Sequence, residues 1–362
     1  MANETYDQEM KFKCNEKIRA MLLELPPYME DFALSMDANK QPRTILGYVQ
    51  DLYLFFRYLK ERYKEIDDLQ SVSADFLGEL LPSDINRYLS WLDAYELDGR
   101  RYTNGNQGKK RKLMSLRKLY KFLEGEGLVR GNPATHVTTP KIKDPDADHI
   151  RIVSQDERER IFRYLTDIFK EAVQKAENEE NPSARTRLAP ALIKRDTAII
   201  YMFLGTGLRI SELTGLNVGN IQGETGQINI VRKGGKKDFI FASEDVLDMV
   251  RSYVNDGYRE QIGADETAGD ALFLSNAHKR MTPRSIERMV EKYVTILFGR
   301  DSGITPHKFR ATFGTQFYEN THDLLATSVV MGNGVEIARK HYIRTGTQIR
   351  ESMKDINVYG DE

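Results

Sequence analysis

The sequence predicts a mainly α-helical protein of two domains, in which the second domain is mixed α/β with a small antiparallel sheet. Apolar residues recur at helical spacing through most of the 362 residues. Near the middle, residues 138–149 carry two prolines and several charges that interrupt this periodicity, which predicts a linker. After it, two short runs of β-type residues flank a glycine turn. A chain of this length can bury two cores, and we place the second domain at residues 150–362.

The first half is predicted to be helical throughout. Residues 1–25 form an N-terminal extension, and residues 26–137 form a helical domain. Within that domain, residues 43–63 place a row of apolar side chains on one side of a helix. Another helix is predicted from Pro82 to Trp91, with Ser83 as its N-cap, because a serine hydroxyl can accept hydrogen bonds from the unpaired N–H groups of a first helical turn.

A basic amphipathic helix is predicted over residues 108–123. Its apolar stripe consists of Leu113, Leu116, Tyr120 and Leu123. The basic residues that fall largely on the other side are Lys110, Arg111, Arg117, Lys118 and Lys121. A solvated surface is one interpretation of such a face. Together with the catalytic pattern described below, contacts with DNA phosphates are the favoured interpretation.

The second half alternates helices with one hairpin. Residues 195–204 predict a buried helix that ends at Gly205, and Thr206 is a candidate cap for the next helix. Arg209 would then lie in a first helical turn, where unpaired backbone N–H groups also favour an anion. A two-stranded hairpin is predicted over residues 227–241, with Lys233 at its tip. Further helices are predicted at residues 244–257, 283–298, 306–318 and about 334–344.

Composition excludes several classes of protein. The formal net charge of −1 argues against a protein that merely coats DNA, so a DNA-binding surface would need segregated charge. The single Cys14 excludes an internal disulfide framework and favours the cytoplasm. Neither a signal peptide nor a long apolar run is found, so secretion and membrane association are not expected. No metal or cofactor is expected, because the remaining histidines form no ligand pattern; they are His136, His149, His278 and His322.

Five residues in the second half occur in an order that suits the transfer of a DNA phosphodiester onto a tyrosine; they are Arg209, Lys233, His307, Arg310 and Tyr342. Negative charge develops on the non-bridging oxygens of a phosphodiester under attack, and the planar guanidinium groups of Arg209 and Arg310 can stabilise it. Lys233 can protonate the leaving 5′-oxygen. Tyr342 is the candidate nucleophile, and its phosphotyrosine would store the bond energy without ATP or a metal.

These segments resemble the tyrosine recombinase family, the lambda-integrase and Xer class. The family pattern has a Thr-Gly-Leu-Arg-x-Ser-Glu-Leu helix start, a Gly-Lys-Gly-x-Lys hairpin, a His-x-x-Arg pair, a Leu-Gly-His box and a tyrosine nine residues after that histidine. The matching segments start at Thr206, Arg232, His307 and Met331, and Tyr342 stands nine residues after Asn333. The resemblance is closest to the single-protein Xer recombinases of streptococci and lactococci. It implies that the five residues above are catalytic and that Glu212 braces the site.

One position departs from the family pattern. Asn333 stands where the family has its second histidine, and an asparagine amide can donate a hydrogen bond to a phosphate oxygen but cannot shuttle a proton. We nevertheless include Asn333 in the predicted catalytic set. Tyr318 and Tyr359 are rival nucleophiles, but neither has the required spacing from Asn333.

The predicted function is that of a site-specific tyrosine recombinase that cleaves and rejoins duplex DNA through a 3′-phosphotyrosyl intermediate, in an Xer-like chromosome dimer resolution. A mobile-element integrase or excision recombinase is one alternative, and a catalytically weakened DNA-binding paralogue, suggested by Asn333, is another. The resemblance implies that the helical first domain clamps DNA at a short paired site. It also implies a homotetramer on DNA that exchanges a C-terminal helix around residues 348–356 between neighbours. A septal DNA translocase is a further candidate partner.

Overall fold

The computed structural model describes residues 6–37, 40–141, 151–232 and 234–342. The chain divides into two compact units, Met1–Asp144 and Pro145–Glu362. Helices dominate both units, and every strand pairing among the described residues is antiparallel. The predicted fold class, mainly α with a small antiparallel sheet, is therefore confirmed. The linker from residue 142 onward, His149, Lys233, Tyr359 and the predicted helix at 348–356 lie outside the described residues.

The first unit is a helical bundle around one hydrophobic core. Its helices are α1 (Tyr6–Leu22), α2 (Tyr28–Asp37), α3 (Pro42–Arg62), α4 (Ala74–Glu79), α5 (Pro82–Trp91) and α6 (Asn106–Gly125). The apolar rows predicted for α3 and α6 are buried in the core, with Leu52 and Leu113 completely inaccessible to solvent. Cys14 and Ile18 of α1 also lie in this core. The described part of the predicted N-terminal extension therefore packs as a helix of the first unit.

A short hairpin between α5 and α6 was not predicted. Its strands are β1 (Tyr95–Leu97) and β2 (Arg100–Tyr102), which pair in antiparallel register. The turn residues Asp98 and Gly99 have φ values of 50° and 73°, as a two-residue type I′ turn requires. Arg57 of α3 donates to the Asp98 carboxylate at 2.8 Å. The Asp-Gly pair was the available sequence signal for this turn.

The start of α5 differs from the prediction. Leu81, and not Ser83, occupies the N-cap, because Pro82 takes the first helical position and the residue before a proline is held in extended conformation. The carboxylate of Asp84 accepts a hydrogen bond from the Leu81 N–H at 2.9 Å. The predicted Ser83 cap is therefore wrong, although the range of the helix is correct.

The second unit surrounds a long, largely buried helix. Its helices are α7 (Gln155–Asn178), α8 (Ala184–Thr206), α9 (Ile210–Thr214), α10 (Glu244–Asn255), α11 (Tyr258–Ile262), α12 (Pro283–Phe298), α13 (Pro306–Thr321), α14 (Leu324–Met331) and α15 (Val335–Tyr342). Its sheet consists of β3 (Ile221–Gln222), β4 (Gln227–Val231) and β5 (Lys237–Phe241) in that order. Helix α8 packs against α7, α10, α11 and α13. The predicted hairpin and the four later helices are present in this unit.

The end of α8 corrects two predictions. The helix passes through Gly205 and ends after Thr206, where Gly207 adopts φ +62° as the C-cap. Thr206 does not cap the next helix, because its hydroxyl donates to the Met202 carbonyl one turn earlier. Gly205 instead allows close packing: a Cβ atom there would lie 2.3 Å from Cγ2 of Val246 on α10. No helix in the described part of the chain is long and apolar enough to cross a membrane.

Candidate active site

Arg209 is held at the N-cap of α9 by a reciprocal contact with Glu212. The Glu212 carboxylate accepts from the Arg209 backbone N–H at 2.8 Å and from its guanidinium at 2.7 Å. A second guanidinium nitrogen donates to the carbonyl of Gly332 at 2.7 Å and to Oδ1 of Asn333 at 2.5 Å. The side chain keeps 26% of its surface exposed. Because a guanidinium has five N–H donors, these contacts fix its plane while an exposed edge faces solvent.

Arg310 approaches the same place from α13. Pro306 begins this helix, and Arg310 lies one turn later with 6% of its surface exposed. Its guanidinium donates to the carbonyl of Gly207 at 2.5 Å and to the carbonyl of Met331. Burial lowers the pKa of this guanidinium from its ordinary value, and the neighbouring Tyr342 acts in the opposite direction. His307 is exposed at the start of the same helix.

Glu212 is the acidic centre of the cluster. Its side chain is 2% exposed and contacts three arginines: Arg209 at 2.7 Å, Arg232 at 3.5 Å and Arg310 at 3.8 Å. One carboxylate therefore faces three guanidinium groups, and the excess positive charge suits an anion such as a phosphodiester. This placement agrees with the bracing role that the resemblance implies for Glu212.

Asn333 joins the two predicted arginines to the predicted nucleophile. It follows Gly332, which has φ +56° and caps α14. Its Oδ1 accepts from Arg209 at 2.5 Å and lies 3.5 Å from a nitrogen of Arg310. Its amide nitrogen donates to the hydroxyl oxygen of Tyr342 at 2.9 Å. A single amide thus uses both ends within the site, which only a side chain with donor and acceptor atoms can do.

Tyr342 ends α15 and is buried, with 4% of its surface exposed. Its ring packs in a small cluster with Met331 and Ala338. The ring also lies directly over Gly314 of α13, where an added Cβ would come within 2.5 Å of the tyrosine Cε1. The absence of a side chain at Gly314 thus makes the room in which the phenol meets Asn333.

The structure brings together five of the predicted site residues: Arg209, Glu212, Arg310, Asn333 and Tyr342. His307 lies on the same helix as Arg310. Its side chain is exposed, and among the described residues no hydrogen bond joins it to this cluster. Arg232, Asp238 and Gly314 also belong to this region and were not predicted as part of it. The only signal for Arg232 was its place beside Lys233, and Gly314 gave none.

Helix α6, the predicted DNA-binding helix, carries two kinds of basic residue. Lys110, Lys118 and Lys121 are exposed. Arg111 is exposed but pairs with the buried carboxylate of Asp51 at 2.6 Å. Arg117 is half-buried, and its guanidinium donates to the carbonyls of Ala134 at 2.9 Å and Val137 at 2.7 Å. Arg117 therefore holds the segment that follows α6, in addition to any contact with DNA.

Several known proteins are similar to this chain in sequence. Residues 185–348 match the phage integrase family. The tyrosine recombinase XerC of Caldanaerobacter subterraneus subsp. tengcongensis is 25% identical over 344 residues, which cover 91% of this chain and 87% of that protein. XerC of Pelobacter propionicus is 29% identical over 318 residues, which cover 88% of this chain and 87% of that protein.

Solved structures show the same fold. The XerH site-specific recombinase bound to a palindromic difH substrate has a TM-score of 0.58 at 16% identity and covers 97% of this chain and 94% of its own. The Tn1549 transposon integrase in complex with a circular intermediate DNA has a TM-score of 0.58 at 17% identity, with coverages of 91% and 99%.

The chain is therefore an enzyme of the DNA strand-exchange class, similar over most of its length to tyrosine recombinases. Among these it is similar to the Xer recombinases. The finer resemblance to the single-protein enzymes of streptococci and lactococci stays a prediction.

Proposed function

We propose that this protein cleaves and rejoins duplex DNA at a short paired site through a 3′-phosphotyrosyl intermediate, with Tyr342 as the nucleophile. The observation that carries the proposal is the Asn333 amide, which connects the Tyr342 hydroxyl to Arg209 and lies close to Arg310. A nucleophile must lie beside the phosphate that it attacks, and two arginines are the side chains best suited to hold that phosphate. These groups converge from α9, α13 and α15.

In the proposed reaction, the Tyr342 oxygen attacks the phosphorus and the bond from phosphorus to the 5′-oxygen breaks. Arg209 and Arg310 stabilise the charge that develops on the non-bridging oxygens. Lys233 gives a proton to the departing 5′-oxygen. The hydrogen bond that the Asn333 amide donates to the phenol oxygen orients the nucleophile, and the imidazole of His307 is our candidate acceptor for the phenol proton. Attack by a 5′-hydroxyl then reverses these steps and restores the diester.

The role of Lys233 can be tested with a substrate in which sulfur replaces the 5′-bridging oxygen. A thiolate leaves without a proton, so Lys233→Ala should cleave the ordinary substrate slowly and the sulfur substrate at close to the parent rate. Equal losses on both substrates would mean that the lysine only binds phosphate. Lys236→Ala, which removes a lysine from the same turn, serves as the matched control and should show no preference for sulfur.

We also propose an Xer-like role in resolving chromosome dimers. The XerC relatives support this assignment because they match over most of both chains. Recombination of two duplexes breaks four strands and therefore needs four tyrosines, which is the basis for proposing a homotetramer on DNA. The cytoplasm is the expected location. A septal DNA translocase is a candidate partner. Complete recombination by the purified protein alone would show that the translocase is not required.

The chromosomal role can be separated from that of a mobile-element integrase by recovering the bound sites. Crosslinking in cells followed by sequencing should give one chromosomal locus, and two directly repeated copies of that locus on a plasmid should recombine to delete the segment between them. Recovery of sites only at the ends of a mobile segment would refute the chromosomal role while leaving the chemistry intact.

A further inference from the structure

Arg232 is a buried cation that joins three parts of the second unit. Its Nε donates to Asp238 of β5 at 3.0 Å, and a terminal nitrogen donates to the Val330 carbonyl of α14 at 2.8 Å. The other terminal nitrogen lies 3.5 Å from Glu212 of α9. The hairpin, the acidic centre of the site and the helix that leads to Asn333 are thus held by one guanidinium.

The contacts of Arg232 lie at the base of the hairpin turn. Its backbone N–H donates to the Lys236 carbonyl at 2.7 Å, and its carbonyl accepts from the Gly235 N–H at 3.1 Å. Lys233 is the next residue in the sequence. In the family pattern Gly-Lys-Gly-x-Lys, a glycine occupies the position of Arg232, so the pattern provides no side chain for these contacts.

The Arg232 guanidinium packs closely against Gly332. A Cβ atom on Gly332 would lie 2.9 Å from the Arg232 guanidinium carbon, and Gly332 has φ +56°. The guanidinium thus lies directly against the backbone that precedes Asn333. Arg232 therefore ties the hairpin turn to the end of α14.

Arg232 is poorly placed to bind the phosphate itself. The side chains of Arg232 and Arg310 are equally buried, each with 8% of its surface exposed. Arg310, however, lies 3.5 Å from the Asn333 amide oxygen beside Tyr342. The donors of Arg232 instead point to a carboxylate, a carbonyl and a second carboxylate within the protein. An arginine in this environment acts on the site by fixing the groups around it.

We propose that Arg232 is a positioning residue that holds the hairpin turn against the cluster of Arg209, Glu212 and Arg310, so that Lys233 reaches the leaving oxygen of the bound phosphate. The proposal rests on the proposed function and deepens it. A misplacement of about 1 Å can lower the rate of a positioned reaction about 10²-fold. The loss of Arg232 should therefore impair proton donation by the lysine.

The test compares single-turnover cleavage of nicked substrates that carry oxygen or sulfur at the 5′-bridging position. Arg232→Ala should cleave the oxygen substrate about 10²-fold more slowly and the sulfur substrate at close to the parent rate. Combined with Lys233→Ala, it should cost little more than Lys233→Ala alone, because residues that act through one another are not additive. Arg232→Lys should remain defective, since an ammonium lacks the planar fork of donors.

Two further variants keep the result interpretable. Asp238→Asn removes the negative charge of the partly exposed partner of Arg232 with little change in volume, and it should show a smaller defect of the same sulfur-rescued kind. Arg251→Ala is the control, because Arg251 also pairs with two carboxylates in this unit but lies on α10. It should behave as the parent on both substrates. Unfolding curves and DNA affinity establish that each variant is folded.

Equal losses on the oxygen and sulfur substrates, or losses that multiply with those of Lys233→Ala, would overturn the positioning role and assign Arg232 to the arginine cluster or the fold. An unchanged rate in Arg232→Ala would also overturn it. A failure of the proposed function has a different signature: Lys233→Ala itself would not be rescued by sulfur, or the parent would form no tyrosine adduct, and either result would overturn both proposals.

Discussion

Asn333 is the position at which this chain departs from the family pattern, and its contacts make its replacement an informative test. Its amide accepts from Arg209 at 2.5 Å and donates to Tyr342 at 2.9 Å, while the contact with Arg310 is long at 3.5 Å. Asn333→Ala removes two close hydrogen bonds from the site. The loss of one preorganised donor typically costs on the order of 10²- to 10³-fold, so we expect cleavage to fall by at least about 10²-fold.

The assay is single-turnover formation of the covalent adduct on a nicked duplex, which separates cleavage from religation. Asn178→Ala is the matched control, because Asn178 lies exposed at the end of α7 in the same unit. It should cleave at the parent rate. DNA affinity should change little in Asn333→Ala, because most of the affinity for duplex DNA comes from backbone charge.

Asn333→His tests whether the hydrogen bond or a proton is what this position supplies. The histidine variant should be active, and its pH–rate profile should show one titration more than that of the parent, near the ordinary imidazole value of about 6.5. An alanine variant as fast as the parent would refute our account of Asn333. A parent without any adduct, together with an active histidine variant, would identify this chain as a weakened paralogue.

Three other predictions follow from particular contacts. Gly314→Val should slow cleavage about 10²-fold. Its Cβ would lie 2.5 Å from the Tyr342 ring, whereas ordinary contacts begin at 3.4 Å, so the ring must move by about 0.9 Å. Gly47→Val is the control, because a Cβ at Gly47 would lie in open space. Glu212→Ala should lower the free energy of unfolding by about 3 to 5 kcal/mol in denaturant titrations, because it leaves the buried Arg232 and Arg310 without this carboxylate. A decrease below about 1 kcal/mol would contradict this prediction, because that is the size expected for an ion pair on the surface. Lys118→Ala should reduce the slope of DNA affinity against salt concentration by the amount expected for the loss of about one phosphate contact. Arg117→Ala should mainly lower the free energy of unfolding, because Arg117 holds two carbonyl groups of the protein. Equal changes of the salt slope in the two variants would contradict these different roles.

The sequence was most informative where local chemistry decides the structure. The glycine turn between two β-type runs predicted β4 and β5, and prolines at the starts of α12 and α13 predicted where these helices begin. The apolar rows of α3 and α6 identified core residues, because helical periodicity directly reports a buried face.

Errors arose where a distant contact overrides local preference. Gly205 suggested a helix end, but Val246, far along the chain, explains the glycine by close packing within a helix that continues. Arg117 was grouped with exposed basic residues because helical spacing cannot show that the chain returns to place carbonyl groups around it.

The candidate site was predictable as a set of residues but not as an arrangement. Motif spacing selected Arg209, Arg310, Asn333 and Tyr342, while their mutual contacts join residues up to 124 positions apart. Arg232 was missed for the same reason, since its partner Val330 lies 98 positions away. Long-range partners of buried charges cannot be inferred from one sequence without its fold.

The central claim is that Tyr342 forms the covalent bond to DNA. The most direct measurement is mass spectrometry of the peptide that remains linked to a nicked substrate, for the parent and for Tyr342→Phe, Tyr318→Phe and Tyr359→Phe. We expect that the linked residue is Tyr342 and that only Tyr342→Phe abolishes the adduct while still binding DNA. An adduct that persists in Tyr342→Phe, or that disappears instead in Tyr318→Phe or Tyr359→Phe, would contradict it.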